Sequence, residues 1–444
     1  MINEAFELCP LDGRYKDIKE LVSPYFAEYT YFQKRVFVEI QWLLYLIKTD
    51  VVNYKGDVFK IEEISSKYDL NSYLEIKKYE NITKHDVKAV EYFIDQKLKE
   101  SNLTELISYV HFTLTSEDIN NVSYALMIKQ FLNEVYYPKI EKLLNYLTIL
   151  SKKYKNTVVL AHTHGQPATP TTFGKEFKVY IYRIKNELQK LKKVKIMAKF
   201  NGATGNYSAI KVALPEIDVI SFSKNFIESL NLTFNPLTTQ IENHDYIVTI
   251  LDIVRHINNI ILDMDIDMWL YISKSYFKLE VIKNEVGSST MPHKVNPINF
   301  ENSESNLEVS NGLLVTLSNK LPRSRMQRDL SDSSTMRNLG ISFGYSLQGI
   351  KETLKGLKKV TINKEQIKLE LADEWELLAE PIQTILRKYK IQDAYNKLKE
   401  LTRGKKVTKK IIEDFINSLE IADCDKKILL DLTPSNYIGL ANKL

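Results

Sequence analysis

The residues from Gly287 to Pro297, Gly-Ser-Ser-Thr-Met-Pro-His-Lys-Val-Asn-Pro, put two adjacent hydroxyls, a lysine and an amide into one short stretch. Gly287 carries no Cβ, so the backbone beside Ser288 and Ser289 can come close to a ligand. A serine with a lowered pKa could take a proton from carbon. Lys294 and Asn296 would then supply a cation and an amide donor to hold the resulting anion. Such chemistry also uses a proton donor, and two of the seven histidines fall in Ala161-His162-Thr163-His164-Gly165-Gln166-Pro167-Ala168-Thr169-Pro170. A histidine held in a Gly/Pro-constrained turn suits that role, because its pKa lies near neutrality. The His-x-His pair has no third ligand at metal spacing nearby, which argues against a metal.

Four further stretches carry chemistry. Thr83-Lys84-His85-Asp86 precedes an apolar face of Val87, Val90 and Ile94, so Thr83 or Asp86 is expected to cap a helix. His85 and Asp86 would then sit at a helix N-terminus, where backbone N–H groups attract anions. Thr115, Ser116 and Asp118 form a second N-cap ahead of Val122, Ala125 and Leu126, and their hydroxyls suit a carboxylate at the same helix start. Arg323, Arg325, Arg328 and Arg337 are interleaved with hydroxyls such as Ser333, a composition that suits phosphate and carboxylate. Leu11-Asp12-Gly13-Arg14-Tyr15 reads as a tight turn offering a guanidinium fork and a ring.

The elements that must position these groups are helices. Only 14 Gly and 12 Pro in 444 residues favour long helices over a turn-rich β architecture. Gly287, Pro292 and Pro297 break any helix through the first stretch, whereas Glu242 to Asn284 contains neither residue type. The loop is therefore expected between two long helices, the second running from Asn299 to Leu321. In the first, Ile247, Ile250, Val254, Ile257, Ile261, Met264 and Met268 alternate spacings of three and four, the stripe of a bundle helix. Such a helix would span roughly 60 Å at 1.5 Å per residue, more than one domain needs, so a bundle shared between subunits is expected. Asp263, Asp265 and Asp267 scatter around its axis and read as a solvated or interface face. Phe177, Ile181, Ile184, Leu188 and Leu191 predict another helix, from Pro170 to about Phe200. Ala27 to Ile47 is helical, and residues 1–24 read as irregular, with Pro10, Gly13 and Pro24 as breakers.

Composition narrows the class. A net charge of +5, from 61 basic and 56 acidic residues, is too weak to call for a nucleic-acid polymer but does not oppose a phosphorylated small molecule. Two cysteines make no disulfide framework, and no Cys/His spacing resembles a zinc site. The first residues lack a basic and an apolar signal region, and the run Val36 to Ile47 is too short to span a bilayer. A cytoplasmic protein with no membrane partner is the expectation.

The loop 287–297 resembles the signature of the fumarase/aspartase superfamily. Within it, Leu11 to Tyr15, Lys84 to Tyr92, His111 to Asn121, Thr163 to Pro170, Thr238-Thr239-Gln240-Ile241-Glu242 with His244-Asp245-Tyr246, and Gln327-Arg328-Asp329-Leu330 resemble the adenylosuccinate lyase family, in register from residue 11 to about 345. The resemblance implies an all-α, three-domain subunit, divided here as 1–110, 111–355 and 356–444, in a homotetramer whose long helices form one bundle. It implies active sites shared between subunits, a small-molecule nucleotide substrate and no cofactor or metal. The implied reaction is β-elimination of fumarate from adenylosuccinate, giving AMP, and from the succinyl-aminoimidazole-carboxamide ribotide of purine synthesis. By motif position Ser288 would be the general base, a choice over Ser289 that rests on the resemblance alone. His164 would be the general acid. Lys294 and Asn296 would stabilise the carbanion, His85 and Asp86 would orient and tune His164 or touch substrate, and Lys84 would bind substrate. Arg14, Tyr15, Arg328, Ser333 and Arg337 would hold the phosphate and nucleotide end, and Thr115, Ser116 and Gln240 the succinyl portion. The alternatives are another lyase of the superfamily, such as argininosuccinate lyase, or an inactive helical scaffold.

Overall fold

Each of the seven apolar residues spaced by threes and fours from Ile247 to Met268 is buried, none more than 2% exposed. They form one side of a helix running Asp245–Ser273. The structure, a computed structural model, describes residues 7–280, 291, 294–393, 396 and 407–444. Ser288 and Ser289 lie outside the described residues.

In chain order the helices are α1 (Lys16–Phe26), α2 (Glu28–Lys48), α3 (Phe59–Ser66), α4 (Leu70–Thr83), α5 (Asp86–Glu100), α6 (Ser116–Phe131), α7 (Tyr137–Lys153), α8 (Phe173–Lys193) and α9 (Ser208–Ala213). There follow α10 (Val219–Ser229), α11 (Asp245–Ser273), α12 (Ile298–Lys320), α13 (Ser331–Met336), α14 (Leu339–Lys358), α15 (Lys364–Ala372), α16 (Ala379–Lys388), α17 (Lys409–Ser418) and α18 (Asp423–Leu430). The short strands of the described residues pair only two by two: β1 (Val158–Thr163) with β2 (Gln166–Thr172), β3 (Met197–Ala198) with β4 (Thr233–Phe234), and β5 (Phe277–Leu279) with β6 (Val360–Ile362). The framework is all-α. Among the described residues no helix is long and apolar enough to cross a membrane.

Three elements differ from the sequence expectation, each for a local reason. Helix α11 has 29 residues, so it is about 44 Å long at 1.5 Å per residue, not ~60 Å. Ser275 adopts a left-handed backbone with φ 61°, and the chain turns into β5, whose backbone bonds go to β6 rather than onward along a helix. Helix α8 likewise stops at Lys193, with three lysines in its last turn where they complement the helix dipole. Residues 1–24 are not wholly irregular either, since α1 occupies Lys16–Phe26 with Pro24 inside its last turn.

The chain divides into two compact units. The first comprises residues 1–140, 187–259 and 305–351. Its core is built around Trp42, fully buried, whose ring meets Phe200 and Phe226 edge-on at centroid distances of 4.8 and 5.0 Å. The indole N–H is not sacrificed, since Trp42 Nε1 donates to the Phe112 carbonyl at 2.9 Å. A buried polar layer interrupts the apolar contacts of α11 in this unit. Asn258 Nδ2 donates to Ser310 Oγ at 3.2 Å and to Asn311 Oδ1 at 3.1 Å, while its Oδ1 accepts from Ser346 Oγ at 2.7 Å.

The second unit comprises 141–186, 260–304 and 352–444. Phe173, Phe177 and Phe277 form one apolar cluster in it, and Leu378, Ile382, Leu386, Ile412 and Ile416 another. It contains a second polar layer: Asp265 Oδ2 accepts from Thr353 Oγ1 at 2.8 Å, and Thr353 Oγ1 lies 2.7 Å from Ser303 Oγ. Asp265 therefore departs from the solvated reading. It is 1% exposed, and burial pushes its carboxyl well above the usual range. Asp263 pairs with Arg183, and Asp267 accepts from Tyr180 Oη at 2.5 Å. The hairpin β1–β2 turns at His164 and Gly165, both with positive φ, 55° and 74°. Glycine tolerates that conformation freely and histidine less so.

Candidate active site

In the first unit, the N-terminal ends of α5 and α6 and the arginine-rich segment after α12 surround a cavity of about 390 Å³. At the first end, Lys84 closes α4 in a left-handed conformation with φ 54°. His85, not Thr83 or Asp86, is the N-cap of α5: its Nδ1 accepts the Lys88 N–H at 3.1 Å. An imidazole nitrogen can accept a backbone N–H as a carboxylate does, which frees Asp86 for another partner. Asp86 Oδ2 lies 2.6 Å from Arg35 of α2. Burial opposes ionisation of Asp86, but the Arg35 charge and hydrogen bond, with the Val87 N–H and His85, bring its pKa below the usual carboxylate value.

Arg35 was not legible as a site residue. Its Nε donates to Asn120 Oδ1 at 2.9 Å, and its guanidinium sits 3.8 Å from the Tyr31 ring centroid. Tyr31, Arg35, Asn120 and Tyr124 all line the cavity. The available signal was an arginine on the apolar stripe of α2, at spacings of four, three and four with Tyr31, Val38 and Trp42. A charge on a buried face needs a partner.

At the second end, Thr115 N–H donates to Asp118 Oδ2 at 2.9 Å, the reciprocal cap expected there. Asp118 also takes the Asn201 N–H at 3.0 Å and pairs with Lys199 at 2.9 Å, both side chains fully buried. These bonds fix the helix start so that Ser116 faces the cavity. Glu117, 5% exposed, accepts from Asn120 Nδ2 at 2.8 Å and pairs with Arg328 at 3.1 Å.

Of the four arginines, two face the cavity. Arg328 Nη1 donates to Gln240 Oε1 at 3.1 Å and Nη2 to Ser333 Oγ at 3.4 Å. Gln240 Nε2 in turn donates to the Ala203 carbonyl at 2.9 Å. Arg337 lines the cavity half-exposed. Arg323 instead bonds the Asn319 carbonyl and Arg325 pairs with Asp329, so both finish local structure. Beneath Ser333, Asp332 Oδ2 lies 3.2 Å from His244 Nε2. Burial opposes its ionisation as well, and the His244 hydrogen bond and charge outweigh it, leaving the Asp332 pKa below the ordinary value.

Seven residues picked from sequence thus share one cavity: Lys84, His85, Asp86, Ser116, Arg328, Ser333 and Arg337. Thr115 and Gln240 adjoin it through the bonds given above. Arg14 and Tyr15 do not line it; Arg14 is exposed, and Tyr15 Oη accepts from Asn306 Nδ2 at 3.5 Å. His164, Lys294 and Asn296 belong to the second unit. His164 is exposed at the hairpin tip, Lys294 is exposed with its N–H donated to Met291 O at 3.0 Å, and Asn296 is half-buried. Ser288 lies outside the described residues. The cavity offers guanidinium forks, hydroxyls, helix N–H groups and the rings of Tyr31 and Tyr124, a set that suits a small ring-bearing molecule carrying carboxylate or phosphate.

Residues 48–309 match the family described as Lyase. The same fold is found in a 3-carboxy-cis,cis-muconate lactonizing enzyme from Pseudomonas putida, with TM-score 0.74, 19% identity and coverage of 96% of this chain and 94% of that one. It is also found in a fumarate lyase from Mesorhizobium sp. BNC1, with TM-score 0.75, 14% identity and 96% of each chain covered. Residues 324–438 match the domain described as Adenylosuccinate lyase C-terminal. The adenylosuccinate lyase of Buchnera aphidicola subsp. Schizaphis graminum is 46% identical over 449 residues, covering 100% of this chain and 98% of the relative. That of Escherichia coli K12 is 45% identical over 438 residues, covering 97% and 96%. The chain belongs to the adenylosuccinate lyase family.

Proposed function

We propose that the chain is a carbon–nitrogen lyase that eliminates fumarate from adenylosuccinate to leave AMP, and from the succinyl-aminoimidazole-carboxamide ribotide to leave the free carboxamide ribotide. The observation that carries this reading is Arg328, braced by Gln240, Ser333 and Glu117 with its fork turned to a cavity that Ser116 and His85 enter from two helix starts. A planar cation held on three sides loses little freedom when it takes a carboxylate or phosphate.

In the reaction, Ser288 removes the proton from the carbon beside a carboxylate. The electron pair forms the carbon–carbon double bond of fumarate, the carbon–nitrogen bond breaks, and the departing nitrogen takes a proton from His164. An ordinary serine is far too weak a base, so its alkoxide needs neighbouring N–H groups and the Lys294 cation, with Asn296 beside the carboxylate where charge accumulates. Thr115, Ser116 and Gln240 hold the succinyl portion, and Arg328 takes the phosphate and nucleotide end. Ser333, Arg337 and Lys84 reach toward the nucleotide end, and His85 and Asp86 orient His164 or the substrate.

Arg14 and Tyr15 serve the site of a second subunit in a homotetramer. The exposed Ile266, Trp269 and Leu270 on α11 and Val309 and Val315 on α12 support a subunit interface along these helices, each being at least 41% exposed. Successive domains at 1–110, 111–355 and 356–444, a cytoplasmic setting and chemistry without metal or organic cofactor complete the proposal.

The direct test is fumarate release by the purified chain, offered adenylosuccinate and argininosuccinate separately without added metal. Turnover of adenylosuccinate alone supports the proposal. Turnover of argininosuccinate alone assigns a different lyase, and turnover of neither by the folded protein leaves a scaffold.

A further inference from the structure

The hairpin that carries His164 is a two-stranded sheet with no third strand beside it among the described residues. Its β2 strand includes Pro167 and Pro170, which have no N–H to donate, and Pro167 is the register partner of His162. The ladder is also irregular between Leu160 and Ala161. Something else must hold the end of β1, and the side chain of His162 does so. His162 Nε2 lies 2.8 Å from Lys274 Nζ, just past the end of α11, and 3.9 Å from Glu370 Oε1 on α15. Lys274 Nζ is 4.0 Å from the same Glu370 oxygen. The other Glu370 oxygen accepts from Tyr276 Oη, one residue before β5. Hairpin, helix end and α15 thus meet around one carboxylate, which His162 reaches through Lys274. All of these residues belong to the second unit.

An ammonium only donates, so Nε2 of His162 must be the acceptor and the ring must be neutral with its proton on Nδ1. Burial lowers the pKa of His162, and the Lys274 charge lowers it further, which keeps the ring in that state. A neutral imidazole of one fixed tautomer is a rigid strut, with one face taken by Lys274. His164 lies two residues further along the same strand end, at the turn, and is itself exposed.

We infer that His162, Lys274 and Glu370 are positioning residues that hold the β1–β2 hairpin so that His164 meets its substrate in one orientation. The inference rests on the reading of His164 as the proton donor. The three do not touch substrate and act through His164.

The test uses the full chain and four variants: His162→Ala, His162→Gln, Glu370→Gln and His164→Gln. Misplacing a reacting group by about 1 Å can cost on the order of 100-fold, so His162→Ala and Glu370→Gln are expected to lower kcat roughly 10- to 100-fold with KM little changed. His162→Gln keeps an acceptor for Lys274 and is expected to recover most of the loss. Hydrogen–deuterium exchange should quicken in the 158–172 peptide of His162→Ala and stay unchanged elsewhere. Parent-like kcat in His162→Ala, with His164→Gln impaired, overturns the positioning role and leaves the acid assignment standing. Faster exchange throughout the second unit overturns it too, because the cluster would then be general scaffolding. Parent-like kcat in His164→Gln overturns the acid assignment itself, whatever the hairpin does.

Discussion

Arg35 and Asp86 meet at 2.6 Å on the cavity wall, with the arginine side chain 2% exposed and the carboxylate 30%. The pair ties the middle of α2 to the first residue of α5, so the helix start that presents His85 is anchored by a charge coming from inside the core. It also neutralises one cation and one anion in advance. Two further cations on the wall also have carboxylate neighbours, Glu117 at 3.1 Å from Arg328 and Glu28 at 3.8 Å from Arg337.

Replacing Arg35 by methionine is expected to destabilise the protein by about 2–4 kcal/mol, since Asp86 loses its counter-charge and Asn120 its donor. Urea unfolding at fixed protein concentration measures this. Because the folded pKa of Asp86 is depressed, its stabilisation is present above about pH 4 and lost as pH falls through the folded value. The stability difference between parent and variant should therefore shrink under acid. A difference that is flat with pH would mean the loss comes from packing alone.

Arg328→Lys keeps the charge and loses the fork that joins Gln240, Ser333 and Glu117. KM for adenylosuccinate should rise roughly tenfold or more, because an ammonium cannot make the paired bonds of a guanidinium. An unchanged KM with lowered kcat would move Arg328 from binding to the chemical step.

His111 and Glu39 form a second charged pair, Nδ1 to Oε1 at 2.5 Å, with side chains 14% and 1% exposed. Burial opposes the charged imidazole, but the charge and hydrogen bond of Glu39 outweigh it and raise the His111 pKa. A raised histidine pKa stabilises fully below the unfolded value of about 6.5 and is lost as pH rises through the folded one. Parent stability should fall relative to His111→Gln as pH is raised from 6 upward. Parallel stability curves for the two would show that the pair does not titrate in this range.

The parts of this molecule that were legible in its sequence are those decided by neighbours along the chain. The stripe from Ile247 to Met268 needed only helical periodicity, and the cap at Thr115 needed only a hydroxyl followed three residues later by a carboxylate. The turn at His164 followed from Gly165, Pro167 and Pro170. What escaped depended on distant partners. Arg35 finds Asp86 across 51 residues and Asn120 across 85, distances on which no local pattern reports. The end of α11 is set by pairing between Phe277–Leu279 and Val360–Ile362. His85 caps α5 while Asp86 pairs with Arg35, a partner on another helix. Arg323 and Arg325 looked like Arg328 and Arg337, and only the fold separates the pair that finishes a helix and turn from the pair that faces a ligand.

For the reaction itself, Ser288→Ala is expected to abolish elimination while substrate still binds, because a base contributes in the transition state. Ser289→Ala in parallel separates the two adjacent hydroxyls. Binding of adenylosuccinate is followed calorimetrically and elimination by fumarate release. Near-parent turnover in Ser288→Ala with loss in Ser289→Ala would transfer the role by one residue.

Asp265→Asn should behave in the opposite way from most core changes. The buried carboxyl is held protonated, so every rise in pH above about 4 favours the unfolded chain, where the group ionises. An amide of the same shape cannot ionise. The variant should gain stability relative to the parent between pH 5 and 7.5, and a steady or falling difference would mean that Asp265 is charged in the folded state.

Asn258 and Asp265 stand seven residues apart on α11, and so do their partners, Ser310 and Ser303 on α12, Ser346 and Thr353 on α14. An apolar heptad stripe is nearly indifferent to a slide of seven residues, which would set one polar layer on the partners of the other. The chemistry of the two layers distinguishes them. Asn258 gives two hydrogen bonds and receives one, whereas a protonated Asp265 has a single proton to give. After such a slide the acid would stand where two donors are needed. The helix thus carries two keys cut to different locks, and only one alignment turns both.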